Sequence, residues 1–303
     1  MAVSDHADPS LDVSLADADA ALVRIRLDVS YDGTDFSGWA VQPGQRTVQG
    51  TLQDALSTVL RVPPVTLTVA GRTDAGVHAT GQVAHFDLPA TVWAKAQGRL
   101  VHKLSGVLPR DLRVKAVTQV PDTFDARFGA LWRRYLYRIS DAEGGIEPLQ
   151  RRQVLPWRRP LDVAAMSAAA APLVGLHDFV AYCRRREGAS TIRTLESLDI
   201  IRTPDEIVCT VQADAFCRSM VRSLVGALIA VGEGRRPVEW PAGLLHYDMR
   251  CDDIGIAPAH GLTLVEVRYP PEDQLHVRAE QARARRDSGS LPLPATASEP
   301  LSH

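Results

Sequence analysis

Alternation of apolar and polar residues is the clearest pattern along this chain, and it predicts most of the β-strands. Between residues 23 and 31 every second residue is apolar or aromatic, and Arg24, Arg26 and Asp28 lie between them. This two-residue period is typical of a strand with one buried face. Alternating or continuous apolar runs predict further strands at residues 65–70, 82–86, 195–201, 207–213 and 262–268.

Apolar residues repeat at helical spacing in other stretches. Residues 47–60 and 220–232 carry them three or four positions apart, and an alanine-rich stretch at residues 161–173 predicts another helix. Strands outnumber helices, a hairpin turn is predicted at residues 203–206, and no repeated strand–helix–strand unit is visible. We therefore predict an α+β fold with a largely antiparallel mixed sheet and helices packed on it.

The predicted elements fall into two stretches of similar content, which indicates two pseudo-twofold-related halves around a central cleft. We expect an N-terminal half at residues 22–130 and a C-terminal half at residues 131–271. Residues 1–21 are polar and acidic, and residues 272–303 are rich in Arg, Ser and Pro. Both end segments are predicted to be disordered tails.

The composition is that of an ordinary globular protein, with 45% hydrophobic and 23% charged residues in 303. We find no run of about 18 apolar residues and no basic N-terminal segment followed by an apolar one, so neither a membrane span nor a secretory signal is predicted. The four cysteines show neither metal-binding spacing nor a disulfide framework. We therefore expect a reducing, cytoplasmic location.

The net charge of −2 is distributed unevenly along the chain. Residues 1–20 hold five Asp and no Lys or Arg, and residues 272–303 carry −1, so residues 21–271 carry +4. Only three lysines occur, and the arginines that supply the remaining positive charge match phosphate geometry. A nucleic-acid partner would explain this distribution, and a general compositional bias towards Arg and Ala would explain it equally well.

The stretch from Gly71 to Ala79 places a carboxylate, a guanidinium and a hydroxyl on a glycine-bounded turn between two predicted strands. Loops of this kind often carry chemistry, because a rigid scaffold aims their side chains. Asp74 is therefore a candidate nucleophile. Arg72 can face the same side and contact phosphate or fill the gap left by an extruded base. The pattern alone also allows a plain structural role, in which Asp74 caps turn amides and Arg72 is solvated.

Two later segments could supply partners for such a carboxylate. In one predicted strand Tyr135 and Tyr137 share a face, and Arg134 and Arg138 share the other. This arrangement suits nucleic acid, because aromatic rings stack on bases and guanidiniums bind phosphates. A strand with a buried aromatic face and a solvated basic face would give the same pattern. Arg222 lies near the start of the most apolar predicted helix, where a charge needs a partner such as a carboxylate or else faces solvent.

His78, His85 and Asp87 raise the alternative of a metal-dependent hydrolase. A metal requires three or four converging ligands, and the cysteines are too far away in sequence to help, so we predict no metal. Walker A, GxGxxG, GxSxG and HExxH patterns are absent from the sequence. Their absence argues against a nucleotide cofactor and against an acyl-transfer triad.

Six motifs in order resemble those of the tRNA pseudouridine synthase A family of pseudouridine synthases. They lie at residues 31–39, 47–49, 71–83, 125–137, 216–226 and 257–262. The resemblance extends from about residue 23 to residue 270, and six ordered matches are far more specific than any one of them. It implies the pseudouridine synthase fold.

The resemblance also implies a role for each candidate residue. Asp74 would be the catalytic nucleophile, and Arg222 would hold it ionised and oriented. Arg72 would assist flipping of the target uridine, and Tyr135 would stack on that base. Further RNA contacts are expected from three arginines near this tyrosine, which are Arg127, Arg133 and Arg134.

The implied reaction isomerises uridine to pseudouridine in the anticodon stem-loop of tRNA, at nucleotides 38, 39 and 40. By the same resemblance the enzyme needs no cofactor and works as a homodimer that binds tRNA across both subunits. A non-catalytic RNA-binding protein of the same fold is the alternative. The chain departs from the family pattern at Ala40, at Gly129 and in the acidic segment 252–253, which leaves details of tRNA contact open.

Overall fold

A computed structural model of the protein describes residues 21–184 and 190–287. Within these ranges the strands form one ten-stranded sheet. The strands are β1 (Leu22–Tyr31), β2 (Thr68–Val69), β3 (His78–Pro89), β4 (Leu112–Val120), β5 (Trp132–Ser140), β6 (Leu155–Pro156), β7 (Gly175–Asp178), β8 (Ile192–Arg202), β9 (Ile207–Ala213) and β10 (Leu262–Arg268). The α-helices are α1 (Val48–Leu60), α2 (Ala90–Ala96), α3 (Leu100–Val107), α4 (Val163–Ala170), α5 (Met220–Gly232), α6 (Trp240–Gly243) and α7 (Leu275–Asp287).

The sheet joins the two halves of the chain edge to edge. Its main path runs β4-β1-β3-β10-β5-β9-β8-β7, with β2 paired to β3 and β6 paired to β5. The pairs β3–β10 and β5–β6 are parallel, whereas the other described pairs are antiparallel. The predicted α+β fold with a largely antiparallel sheet is confirmed.

Strand β1 illustrates how the sheet acquires one fully covered face. Ile25, Leu27, Val29 and Tyr31 are buried, and the polar residues between them are only half-buried. Leu52 and the other buried residues of α1 belong to the same core. Burying each large apolar side chain contributes about 1.5–3 kcal/mol, which explains why the alternating pattern specifies the orientation of the strand.

Helix α5 is almost entirely buried, and one glycine in it shapes the candidate site. A Cβ at Gly226 would lie 1.7 Å from the carbonyl oxygen of Gly255, so the segment after α6 approaches the helix as only glycine allows. The same segment forms a backbone hydrogen bond from Ala257 N to Arg222 O (3.0 Å). This close packing brings a second chain segment against the arginine that sequence analysis singled out.

Several predicted elements match the structure and two differ from it. The helix at residues 220–232 and the strands at 207–213 and 262–268 have the predicted bounds. The predicted strand at 65–70 is paired only at Thr68–Val69, because the carbonyl of Val65 accepts a hydrogen bond from Gln53 of α1 (2.6 Å). The predicted helix at 161–173 is α only up to Ala170 and then tightens to a 3₁₀ turn that contains a proline.

The prediction of a disordered C-terminal tail is wrong for its first part, where α7 forms. Leu275 and Ala279 are buried, and Arg278 donates a hydrogen bond to the carbonyl of Ala130 (3.1 Å). These contacts stabilise a segment whose polar composition had indicated disorder. Residues 1–20 and 288–303, which were also predicted to be disordered, lie outside the described residues.

The fold also corrects the expectation for the cysteines. Cys183 and Cys217 form a disulfide, with 5.8 Å between their Cα atoms, although they are 34 residues apart in sequence. Cys209 and Cys251 are free and buried. Among the helices of the described ranges, none combines the length and the apolar character that crossing a bilayer requires.

Candidate active site

The glycine-bounded loop at residues 71–77 connects β2 to β3 at one end of the sheet. Its turn is closed by a hydrogen bond from Val77 N to Asp74 O (3.2 Å), and Gly76 adopts φ = 78°, which favours glycine. Along the loop Arg72 is exposed, Thr73 is buried and Asp74 is half-buried. The backbone therefore directs the guanidinium and the carboxylate outwards while it anchors the hydroxyl between them.

A charged pair joins this loop to α5. Arg222 Nη1 lies 3.4 Å from Asp74 Oδ2, and Arg222 Nε donates to the carbonyl of Ala257 (2.7 Å). The two side chains retain 20% and 33% of their exposure, so the ion pair contributes no more than about 1 kcal/mol. Its effect is to orient the carboxylate, because the guanidinium is itself held by a backbone acceptor.

Tyr135 on β5 completes the cluster. Its ring is buried and meets Phe216 edge to face, with 5.2 Å between centroids. Burial raises the pKa of the Tyr135 phenol, and the negative charge of Asp74 acts in the same direction, so this phenol stays neutral. Asp74 is thus in contact with Arg222, and its charge acts on the phenol of Tyr135, although the three residues are far apart in sequence.

Arg72 differs from these three residues. Its side chain is exposed and forms no hydrogen bond or ion pair with any residue in the described ranges. It stands two residues from Asp74 on the same loop, so a ligand that reaches the carboxylate passes close to a free guanidinium. Its predicted part in base flipping stays a prediction.

The structure corrects the predicted RNA contact of Arg133. This residue shares the inner face of β5 with Tyr135, and its buried guanidinium donates to the carbonyls of Ala70 (2.9 Å), Arg127 (2.6 Å) and Asp214 (2.7 Å). Burial lowers the pKa of Arg133. With its donors directed at the backbone inside the fold, this side chain is not available to phosphate.

The other two arginines occupy different surroundings. Arg134 points to the opposite face of the sheet, where it binds Glu266 (3.1 Å) and Gln212 (2.9 Å) and lies over the ring of Trp132. Any RNA contact of Arg134 would therefore lie away from Asp74. Arg127 lies 5.3 Å from the centre of the Phe128 ring and stays a predicted RNA contact.

Comparison with known proteins identifies the family. The family model described as "tRNA pseudouridine synthase" matches residues 29–129 and 169–270, which is well over half of the chain. The chain belongs to the tRNA pseudouridine synthase family. This membership confirms the family that the ordered motifs predicted. As a pseudouridine synthase, the protein is an isomerase.

Curated relatives named "tRNA pseudouridine synthase A" match nearly their whole length. The protein from Frankia casuarinae is 62% identical over 88% of this chain and 96% of its own. Those from Streptomyces griseus subsp. griseus and Streptomyces avermitilis are 56% and 55% identical, over 88% and 87% of this chain and 95% and 94% of theirs.

The residues proposed for a metal-dependent hydrolase have other partners in this pseudouridine synthase. His78 Nδ1 accepts a hydrogen bond from Gly33 N (3.0 Å) and His85 Nδ1 accepts one from Ala126 N (3.1 Å). Asp87 forms a two-pronged pair with Arg24 (2.8 Å each), which lowers the pKa of that carboxyl. Across the described ranges, no three His, Cys, Asp or Glu side chains converge as metal ligands would.

Sequence reasoning missed a buried polar cluster beneath the synthase loop. Tyr31 Oη lies 2.8 Å from Thr73 Oγ1, and Gln82 Nε2 donates to Tyr31 Oη (3.2 Å) and to the carbonyl of Gly71 (2.8 Å). All three side chains are buried. A glutamine within an apolar strand was the available signal, since buried amides need hydrogen-bond partners.

Proposed function

We propose that this protein isomerises uridine to pseudouridine in tRNA and that Asp74 is its nucleophile. The observation that carries the proposal is the contact between Asp74 and Arg222, at 3.4 Å. A carboxylate oriented by a held guanidinium is suited to attack an electrophilic carbon of the substrate. The family membership and the names of the curated relatives support the same reaction.

The reaction needs no net oxidation or reduction. The bond from C1′ of the ribose to N1 of uracil breaks, the base rotates, and C1′ bonds to C5. The proton lost from C5 is balanced by one gained at N1. Asp74 forms a transient bond to the substrate that is broken again before release, so the carboxylate is regenerated. No redox cofactor or energy source has to enter this balance.

The uridine must leave its stack before Asp74 can reach it, at a free-energy cost of a few kcal/mol. Stacking of the extruded base on the aromatic ring of Tyr135 returns about 1–3 kcal/mol. Arg72, exposed on the same loop, fills the vacated space or binds a neighbouring phosphate. The sequence resemblance extends the proposal to nucleotides 38, 39 and 40 of the anticodon stem-loop and to a homodimer that binds tRNA across both subunits. The cytoplasmic location predicted from the sequence is part of the same proposal.

The test is to replace Asp74 by Asn and measure pseudouridine formation in unmodified tRNA together with tRNA affinity. Asp54→Asn is the matched control, because Asp54 is an exposed aspartate on α1. We expect Asp74→Asn to lower the rate by at least about a thousandfold and to leave the dissociation constant nearly unchanged, since the nucleophile acts on the bond rather than on binding. Undiminished activity in Asp74→Asn would overturn the assignment. Failure of the wild-type protein to form pseudouridine despite binding tRNA would favour a non-catalytic RNA-binding protein.

A further inference from the structure

We infer that Tyr31, Thr73 and Gln82 form a positioning cluster that sets the direction of Arg72 and Asp74. The inference rests on the proposed function and adds residues to it that touch no substrate. The cluster consists of the Tyr31 phenol, the Thr73 hydroxyl and the Gln82 amide, joined by hydrogen bonds of 2.8 and 3.2 Å.

The cluster forms hydrogen bonds with the loop on both sides of Arg72. Gln82 Nε2 holds the carbonyl of Gly71 at 2.8 Å, and Tyr31 Oη holds the Thr73 hydroxyl at 2.8 Å. In an extended segment, side chains two residues apart point to the same side. Anchoring Thr73 inwards therefore turns Arg72 and Asp74 outwards together.

The anchor has a defined direction of hydrogen bonding. Gln82 Nε2 is a donor, so Tyr31 Oη accepts from it and can donate its own proton to Thr73 Oγ1. Burial raises the pKa of Tyr31 to about 12, so this proton is retained at working pH. The amide of Gln82 is completely buried, and its other end accepts from Val83 N (3.2 Å). A network whose members are paired in this way is rigid.

Backbone hydrogen bonds also tie the loop to the segment that contains Phe36 and Trp39. Trp39 N donates to Thr73 O (3.1 Å), and Gly76 N donates to Phe36 O (3.3 Å). A Cβ at Gly38 would lie 2.9 Å from Thr73 O, which shows how closely the two segments pack. Among the contacts that hold the loop, the hydrogen bonds of the side-chain cluster are those that a mild substitution can remove without disturbing the backbone packing.

The consequence should appear in the chemical step. Displacement of a reacting group by about 1 Å can lower a rate by about a hundredfold. Tyr31→Phe and Thr73→Val each delete the phenol–hydroxyl hydrogen bond and preserve the shape of the side chain. Thr73→Ser keeps the hydroxyl and is the conservative rescue. Tyr182→Phe is the matched control, because the Tyr182 phenol is equally buried but donates to Pro241 O (2.6 Å) outside the loop.

The experiment measures single-turnover pseudouridine formation at saturating tRNA, tRNA affinity and thermal stability for each variant. We expect Tyr31→Phe and Thr73→Val to lower the single-turnover rate constant about 10–100-fold and to change the dissociation constant less than about twofold. Thr73→Ser should stay within about threefold of the wild type. The double variant Tyr31→Phe/Thr73→Val should be no slower than Tyr31→Phe alone, since Tyr31→Phe already removes the hydrogen bond that Thr73→Val deletes, together with the one from Gln82. Tyr182→Phe should lose stability and keep its rate.

Two results would overturn the inference. One is a rate constant in Tyr31→Phe and Thr73→Val equal to that of Tyr182→Phe once the folded fraction is taken into account. The other is a double variant whose loss is the product of the two single losses, which would mean that the two groups act independently. Asp74→Asn is measured in parallel. If it stays active the proposed function fails, whereas an inactive Asp74→Asn beside a fully active Tyr31→Phe rejects only the positioning cluster.

Discussion

Replacing Arg133 by Met tests whether this arginine serves the fold rather than RNA. The buried guanidinium donates to three backbone carbonyls, and a hydrogen bond from a charged donor contributes about 1.5–3 kcal/mol. Three such bonds give about 5–9 kcal/mol. Methionine carries no charge, so the variant avoids the several kcal/mol that burying the guanidinium charge costs, which offsets part of this loss. We therefore expect Arg133→Met to lower the free energy of unfolding by about 3 kcal/mol.

Arg134→Met is the control for this prediction, since it changes the neighbouring residue in the same way. Arg134 is half-exposed and paired with Glu266, so its loss should lower the free energy of unfolding by no more than about 1 kcal/mol. Urea unfolding followed by circular dichroism measures both values. The salt dependence of tRNA binding should be the same for Arg133→Met and the wild type, because a buried arginine releases no counterions. Equal stability losses in the two variants, or a reduced salt slope in Arg133→Met, would contradict this prediction.

Two further predictions concern packing and pH. Gly226→Ala should destabilise the fold by at least about 2 kcal/mol, because its Cβ would meet a backbone oxygen at 1.7 Å. The control Gly106→Ala, on the open side of α3, should be neutral or stabilising by up to about 1 kcal/mol. Equal melting temperatures for the two variants would contradict this prediction. Burial, followed by the charge of Arg24, lowers the pKa of His85 from 6.5, so the unfolded chain takes up the proton first. This contribution to stability is complete above pH 6.5 and declines as the pH falls towards the folded pKa, by at most about 1.4 kcal/mol per pH unit. In urea titrations, the free energy of unfolding of His85→Gln should fall less steeply with falling pH than that of the wild type. An unchanged pH profile in this variant would contradict the prediction.

Local patterns predicted the elements well where burial alone decides them. The strict alternation of β1 and the apolar surface of α5 each correspond to an element with nearly the predicted bounds. The two-residue period of a strand also indicates that Arg133 is buried. It lies two residues before Tyr135 and therefore shares its buried face, whereas Arg134 does not.

Features that depend on distant contacts were beyond a reading of local pattern. The pairing of Cys183 with Cys217 follows from how two loops meet, and neither spacing nor composition indicates it. Helix α7 is polar in composition and is stabilised through Leu275 and a few contacts with the body. The approach of Arg222 to Asp74 spans 148 residues, and only the order of motifs hinted at it.

The most direct test of the proposed function is to map pseudouridine, nucleotide by nucleotide, in unmodified tRNA incubated with the purified protein. We expect new pseudouridine at nucleotides 38, 39 and 40 where uridine stands there, and none when Asp74→Asn replaces the wild type. Absence of pseudouridine after incubation with the folded wild-type protein, or the same modification by Asp74→Asn, would contradict the proposed function.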